Sequence, residues 1–186
     1  MRRLILAATF VLAATLPASA ATLAGVTLDD HAAVNNQQLV LNGMGLRKKF
    51  IIKVYVGGLY LPAKQSNAAT VIATDASRRM VFHFLYSVSK SQMADAWEEG
   101  LEDNTPNASP EVKTAFKTLQ SWMEDIPKGN KLVVTYVPGI GTTVEVNGKN
   151  KGTLGGKATS DAIVNTWIGP DPAPGADFKK AVLGIR

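Results

Sequence analysis

Cysteine is absent from these 186 residues, which excludes a disulfide framework, thiolate metal sites and thiol nucleophiles together. Histidine is nearly so: His31 and His83 lie far apart, with no H-x-x-x-H spacing, and no metal is expected. There is no G-x-S-x-G elbow, so a serine hydrolase has no support. Gly139-Ile140-Gly141 and Gly152-Thr153-Leu154-Gly155-Gly156 lack the strand–loop–helix frame and Gly-Lys-Ser/Thr ending of a phosphate loop, and read as turns. No other cofactor signature is present. Charge is sparse, at 19% of residues, and Glu98, Glu99, Glu102 and Asp103 read as a solvated helix face rather than a carboxylate dyad. What is present is a 46% hydrophobic chain with ordinary glycine and proline usage, long enough for one domain with its own core.

The first twenty residues stand apart from that domain. Arg2 and Arg3 form a basic start, Leu4 to Leu16 an apolar stretch, and Pro17 precedes Ala18-Ser19-Ala20, a small-x-small cleavage pattern. The apolar stretch falls short of the roughly 20 residues that a spanning helix needs. Residues 1–20 are therefore expected to be a signal peptide and residues 21–186 the domain, exported most simply to a bacterial periplasm and free of any membrane span after cleavage. Losing Arg2 and Arg3 lowers the net charge from +5 to +3, too little to argue for a nucleic-acid partner.

The remainder reads as mixed α and β. Strands are expected at Thr22–Leu28, Gln38–Leu41, Phe50–Val56 and Met80–Val88. Leu132–Val137 and Thr142–Val146 are joined across Pro138-Gly139, and Asn147-Gly148 marks a hairpin turn. Within the third strand, Phe50, Ile52, Val54 and Val56 are expected to face the core. Ile51, Lys53 and Tyr55 are expected opposite, toward solvent or a lined cleft. In the fourth, Met80, Phe82, Phe84, Tyr86 and Val88 share a side. Helices are expected over Ser91–Glu102, where Met93, Trp97 and Leu101 align, and from Ser109-Pro110 through an apolar stripe of Val112, Ala115, Phe116, Leu119, Trp122, Met123 and Ile126. The aromatic stripe of Trp97, Phe116 and Trp122 reads as core. Two further helices, Ser160–Trp167 and Ala176–Leu183, flank a Pro-rich turn. The order describes an α+β fold, an antiparallel sheet with helices on one face.

One constellation could carry recognition. Asn42-Gly43-Met44-Gly45-Leu46-Arg47-Lys48-Lys49 leads into the third strand, which runs on into Gly57-Gly58-Leu59-Tyr60-Leu61. Glycines 43, 45, 57 and 58 permit close backbone approach and bulges that open a sheet face toward a ligand. The Arg47 guanidinium suits a carboxylate, and Tyr55 adds a hydroxyl on an apolar body. The bland alternative, a surface cation and an ordinary strand aromatic, stays open on residue types alone. If the chain ran straight, Arg47 and Tyr55 would lie about 26 Å apart, so a turn or bulge near Lys48-Lys49 is required for both to reach one ligand.

The run Gly43-Met44-Gly45-Leu46-Arg47 to Leu61, with Ala162-Ile163-Val164-Asn165-Thr166-Trp167-Ile168-Gly169 before Pro170, resembles the bacterial chalcone isomerase-like proteins. The resemblance covers about residue 22 to the end. It implies an open-faced β-sandwich, a large antiparallel sheet covered on one face by helices, with a ligand cleft between. That superfamily holds enzymes that cyclise chalcones and non-catalytic fatty-acid binders. By resemblance, Arg47 matches the cleft arginine of both branches, Tyr55 the tyrosine of the fatty-acid binders, and Thr166 a specificity position beside Trp167. The enzymes' catalytic tyrosine and asparagine fall, without gaps, on Met93 and Gly100, so both functional groups are missing. The implied ligand site is Arg47, Tyr55, Met93, Thr166 and Trp167, with no catalytic residue. The implied ligand is a small apolar or aromatic carboxylate such as a fatty acid. The alternatives are an isomerase or intramolecular lyase acting on a phenolic enone, and an envelope interaction module without a ligand.

Overall fold

The computed structural model describes residues 20–185; the expected signal peptide, apart from Ala20, lies outside them. Two short strands, β1 (Ala20–Leu23) and β2 (Val26–Asp29), form a hairpin of their own. Seven strands then pair as one antiparallel sheet in strict chain order: β3 (His31–Val34), β4 (Gln37–Lys49), β5 (Ile52–Leu61), β6 (Arg78–Phe84), β7 (Lys131–Val137), β8 (Gly141–Val146) and β9 (Lys149–Leu154). Helix α1 (Ala68–Ala73) links β5 to β6, and α2 (Lys90–Asn104) and α3 (Pro110–Ser121) lie between β6 and β7. The chain finishes with α4 (Lys157–Ile168) and α5 (Ala176–Val182).

The sheet sorts its side chains by the two-residue period of the strands. Leu59, Leu61, Met80, Phe82, Phe84, Leu132 and Val134 face the helices and form the main core with Trp97, Phe116, Leu119, Ile163 and Phe178. Val56, Tyr60, Val81 and Val133 face the opposite way, onto Val26 and Leu28 of the β1–β2 hairpin. The Tyr60 hydroxyl fastens that cover by donating to the Asp29 carbonyl at 2.9 Å. Helices therefore cover one face, as expected, and the small hairpin covers part of the other.

Helix boundaries follow their caps. Ser89 and Gln92 complete a reciprocal capping box at the start of α2. Ser109 caps α3 ahead of Pro110, where the sequence places it. The α3 stripe runs past the helix: α3 stops at Ser121, while Met123 and Ile126 stay buried because the chain turns to bridge Val88 through Val88↔Ile126.

Several expectations need correction. Thr22–Leu28 is not one strand but two, folded back at Ala24-Gly25, where both residues take positive φ. The fourth strand starts at Arg78 and ends at Phe84, and Tyr86 is exposed. Phe50 and Ile52 do not face the core. Phe50 and Ile51 form the turn between β4 and β5 and are 92% and 95% exposed, so only the later part of the expected strand is buried. Tyr55, read as facing away from the core, faces the helices, and Val56 packs in the smaller cluster instead.

Candidate functional site

The β4–β5 hairpin settles the spacing of Arg47 and Tyr55. Its turn at Phe50-Ile51 folds the chain back so that Arg47 and Tyr55 are direct cross-strand partners, beside a register shift between Arg47 and Lys48. This is the turn and bulge the spacing required. The Arg47 guanidinium carbon lies 5.9 Å from the Tyr55 ring centroid, within cation–π range.

The pair stands on the wall of a cavity of about 540 Å³ between the sheet and the helices. Phe82 and Phe84 of β6 form its floor, Met93 and Trp97 of α2 one side, and Thr166 and Trp167 of α4 another. All five residues predicted for the ligand site, Arg47, Tyr55, Met93, Thr166 and Trp167, line this one cavity. Its aromatic groups hold one another. Tyr55 meets Phe82 edge-on at 5.2 Å and Phe178 at 5.8 Å, while Trp167 lies 4.4 Å from Phe82 and 5.1 Å from Trp97. Such contacts fix ring orientations, so the wall is formed before anything enters.

Electrostatics divide the site. Burial raises the Tyr55 hydroxyl above its ordinary value; the Arg47 charge and hydrogen bonding with the Trp167 and Arg47 side chains oppose this. Tyr55 therefore stays a neutral donor at any ordinary pH. Arg47 donates through Nη1 to the Ala173 carbonyl and makes no ion pair with any described acid, so most of its five N–H groups remain for an anion. The rim carries both signs, with Lys49 on the hairpin and Asp95 and Glu99 on α2.

The roles of the other predicted residues are narrower. Thr166 reaches the cavity, but its hydroxyl donates to the Ile163 carbonyl at 2.8 Å within α4, leaving chiefly an apolar face and acceptor capacity. Gly100 sits where α2 crosses α4, and a Cβ there would lie 2.8 Å from the Thr166 methyl carbon, so this position has no room for a side chain. The glycines of β4 and β5 also serve packing rather than a ligand. A Cβ on Gly43 would fall 2.2 Å from the Ala181 carbonyl oxygen, and one on Gly57 2.6 Å from the Phe178 ring. Helix α5 makes the close approach at Gly43, Gly45 and Gly57, and Leu28 of the β1–β2 hairpin makes it at Gly58.

Sequence reasoning missed four contributors. Phe82 and Phe84 read from the sequence only as one side of a strand, yet they line the cavity. Trp97, read as core, is both buried and cavity-lining. Asn104 is the least visible: its amide accepts from Asp171 N at 2.9 Å and donates to the Asp171 carbonyl at 2.7 Å, pinning the loop that presents Ala173 to Arg47. The chance of seeing this lay only in the Pro-rich turn, whose partner cannot be inferred from spacing. Among the described residues no cluster of His, Asp and Glu could hold a metal ion, and no helix is long and apolar enough to cross a membrane.

A large antiparallel sheet with helices over one face and an aromatic cavity between them defines an α+β fold of the chalcone isomerase type. Residues 20–184 match the chalcone isomerase-like family, and the chain belongs to it. Among solved structures it is similar to the fatty-acid binding protein AtFAP1 of Arabidopsis thaliana, at a TM-score of 0.69 and 15% identity, over 89% of this chain and 96% of that one. No curated protein matches the sequence.

Proposed function

We propose that this protein is exported and binds a small apolar carboxylate, such as a fatty acid, without transforming it. The observation that carries the reading is the pairing of Arg47 and Tyr55 on the wall of an aromatic cavity. A guanidinium with unspent donors and a neutral phenol suit a carboxylate head. Phe82, Phe84, Met93, Trp97 and Trp167 suit its apolar remainder. The likeness to a plant fatty-acid binding protein points the same way.

The isomerase reading asks more of the site. Cyclising an enone requires donors placed on the developing oxyanion. Met93 supplies no such donor, and Gly100 is closed by Thr166. Native mass spectrometry of the purified protein, followed by lipid extraction, is the deciding experiment. A co-purifying or titratable fatty acid, lost in Arg47→Ala, is the expected result. An empty protein indifferent to fatty acids overturns the reading, and turnover of a chalcone panel that vanishes in Arg47→Ala replaces it with the enzyme. Export is checked by fractionation and by the N-terminal residue of the recovered chain, expected to be Ala21.

A further inference from the structure

The tip of the β4–β5 hairpin spends apolar side chains on solvent. Phe50 and Ile51 are almost fully exposed, Ile52 is 41% exposed, and Lys48, Lys49 and Lys53, which flank them, are exposed as well. None of the three lysines forms an ion pair with a described acid. The turn itself is poorly served by this sequence. Phe50 adopts φ 55°, a conformation taken elsewhere among the described non-glycine residues only by Ala24, Asn35, Asn36 and Asn147. Gly-Asn would relieve this turn, whose first residue alone takes positive φ, unlike Asn147-Gly148 between β8 and β9, where both do, so a bulky aromatic here works against the hairpin. Ile140, the exposed apolar residue of the β7–β8 turn, makes a contrast. It stands singly between glycines with no lysine beside it.

We infer that this tip docks the protein on an anionic lipid bilayer, with Phe50, Ile51 and Ile52 entering the headgroup layer and Lys48, Lys49 and Lys53 lying on lipid phosphates. Apolar insertion combined with basic charge is the pairing that reversible membrane binding needs. Position supports it: Lys49, Phe50 and Ile52 also line the cavity, so a docked tip sets the cavity mouth at the membrane surface. Tyr86, 52% exposed and joined to the base of the hairpin by its N–H to the Val54 carbonyl at 3.2 Å, adds an amphipathic ring at the depth where tyrosine partitions. Asp95 and Glu99 on the opposite rim would be repelled by anionic lipid, which restricts contact to the tip. The inference stands on the tip's own exposure and charge, independent of what the cavity holds.

The test is cosedimentation of the purified protein, its N-terminus read by intact mass, with vesicles of phosphatidylcholine alone or of equal parts phosphatidylcholine and phosphatidylglycerol, no fatty acid being added. Binding to the mixed vesicles, weakened by salt, is expected. Phe50→Gly with Ile51→Asn should keep or raise the melting temperature while lowering vesicle affinity at least about tenfold. Lys48→Ser and Lys53→Ser should each lower it about fivefold. Because the chain has no cysteine, Ile51→Cys offers a second readout: a single polarity-sensitive dye there should shift to the blue only with anionic vesicles. Equal binding to both vesicle types, full binding by the double variant, or a dimer in sedimentation velocity that the double variant abolishes would each overturn the inference. Failure here leaves the carboxylate reading of the cavity intact, since that reading is tested on the protein without lipid vesicles.

Discussion

Two arginines, Arg47 and Arg78, each lie against a tyrosine ring on this sheet, and they are used in opposite ways. Arg78 is 4% exposed and satisfied: Nε and Nη2 donate to Ser160 Oγ, Nη1 donates to the Val71 carbonyl, and Nη2 pairs with Asp161, while Tyr136 lies 5.0 Å from its guanidinium carbon. Around it Lys157 reaches the second Asp161 oxygen at 2.6 Å, and the Tyr136 hydroxyl donates to Asp75 at 2.6 Å. Arg47 is half-buried, donates to the Ala173 backbone carbonyl and has no carboxylate partner among the described residues. The same side chain is a structural rivet where its donors are spent and, in the function proposed, a binding group where they are spare.

The contrast is easiest to break at Arg78. Arg78→Met should cost about 3 kcal/mol in urea unfolding, the low end for a broken buried pair because Lys157 still serves Asp161. Arg47→Met should change the same measurement by less than about 1 kcal/mol. Reversed costs would undo the distinction. In calorimetric titration with a long-chain fatty acid, Arg47→Met should weaken binding by about 2 kcal/mol, roughly thirtyfold, whereas Tyr55→Phe should lose only about fivefold.

The alkaline limb gives the broadest effect. Burial raises Tyr55; burial, then the Asp29 charge, pushes Tyr60 up to about 12; burial and the Asp75 hydrogen bond push Tyr136 up to about 12. In the unfolded chain each phenol titrates near about 10, so the folded state holds these protons more tightly. Their contribution is complete below pH 10 and is lost as the pH climbs toward 12. Denaturation midpoints should fall over that window, less steeply in Tyr136→Phe. Ultraviolet phenolate titration should find ionisation delayed beyond the range of free tyrosine.

Much of this was legible in the residues because the signals were local. The Ser109-Pro110 cap, the Asn147-Gly148 turn and the alternation of Met80, Phe82 and Phe84 all declare themselves within a few positions. The five cavity residues were found through motifs, and the fold then brought them together. What stayed hidden was non-local or locally contradictory. Phe50-Ile51-Ile52 has the composition of a buried strand, and only its place at the far end of two long paired strands turns it into a tip. The short helix α1 carries too little periodicity in six residues to announce itself. The glycines read as sites of close approach, but what approaches them depends on α5, far along the chain, and, at Gly58, on Leu28.

That last helix has a consequence for manufacture. Asn42 reaches across 140 positions to donate to the Val182 carbonyl, and Phe178 seats against Gly45, Gly57 and Tyr55. Strands β4 and β5 leave the ribosome long before their cover exists, so a bare glycine-lined groove must wait for a segment made much later. A message cut short before Phe178 would yield a sheet with its cavity wall unbacked, so the pocket is completed by a segment made long after its first wall.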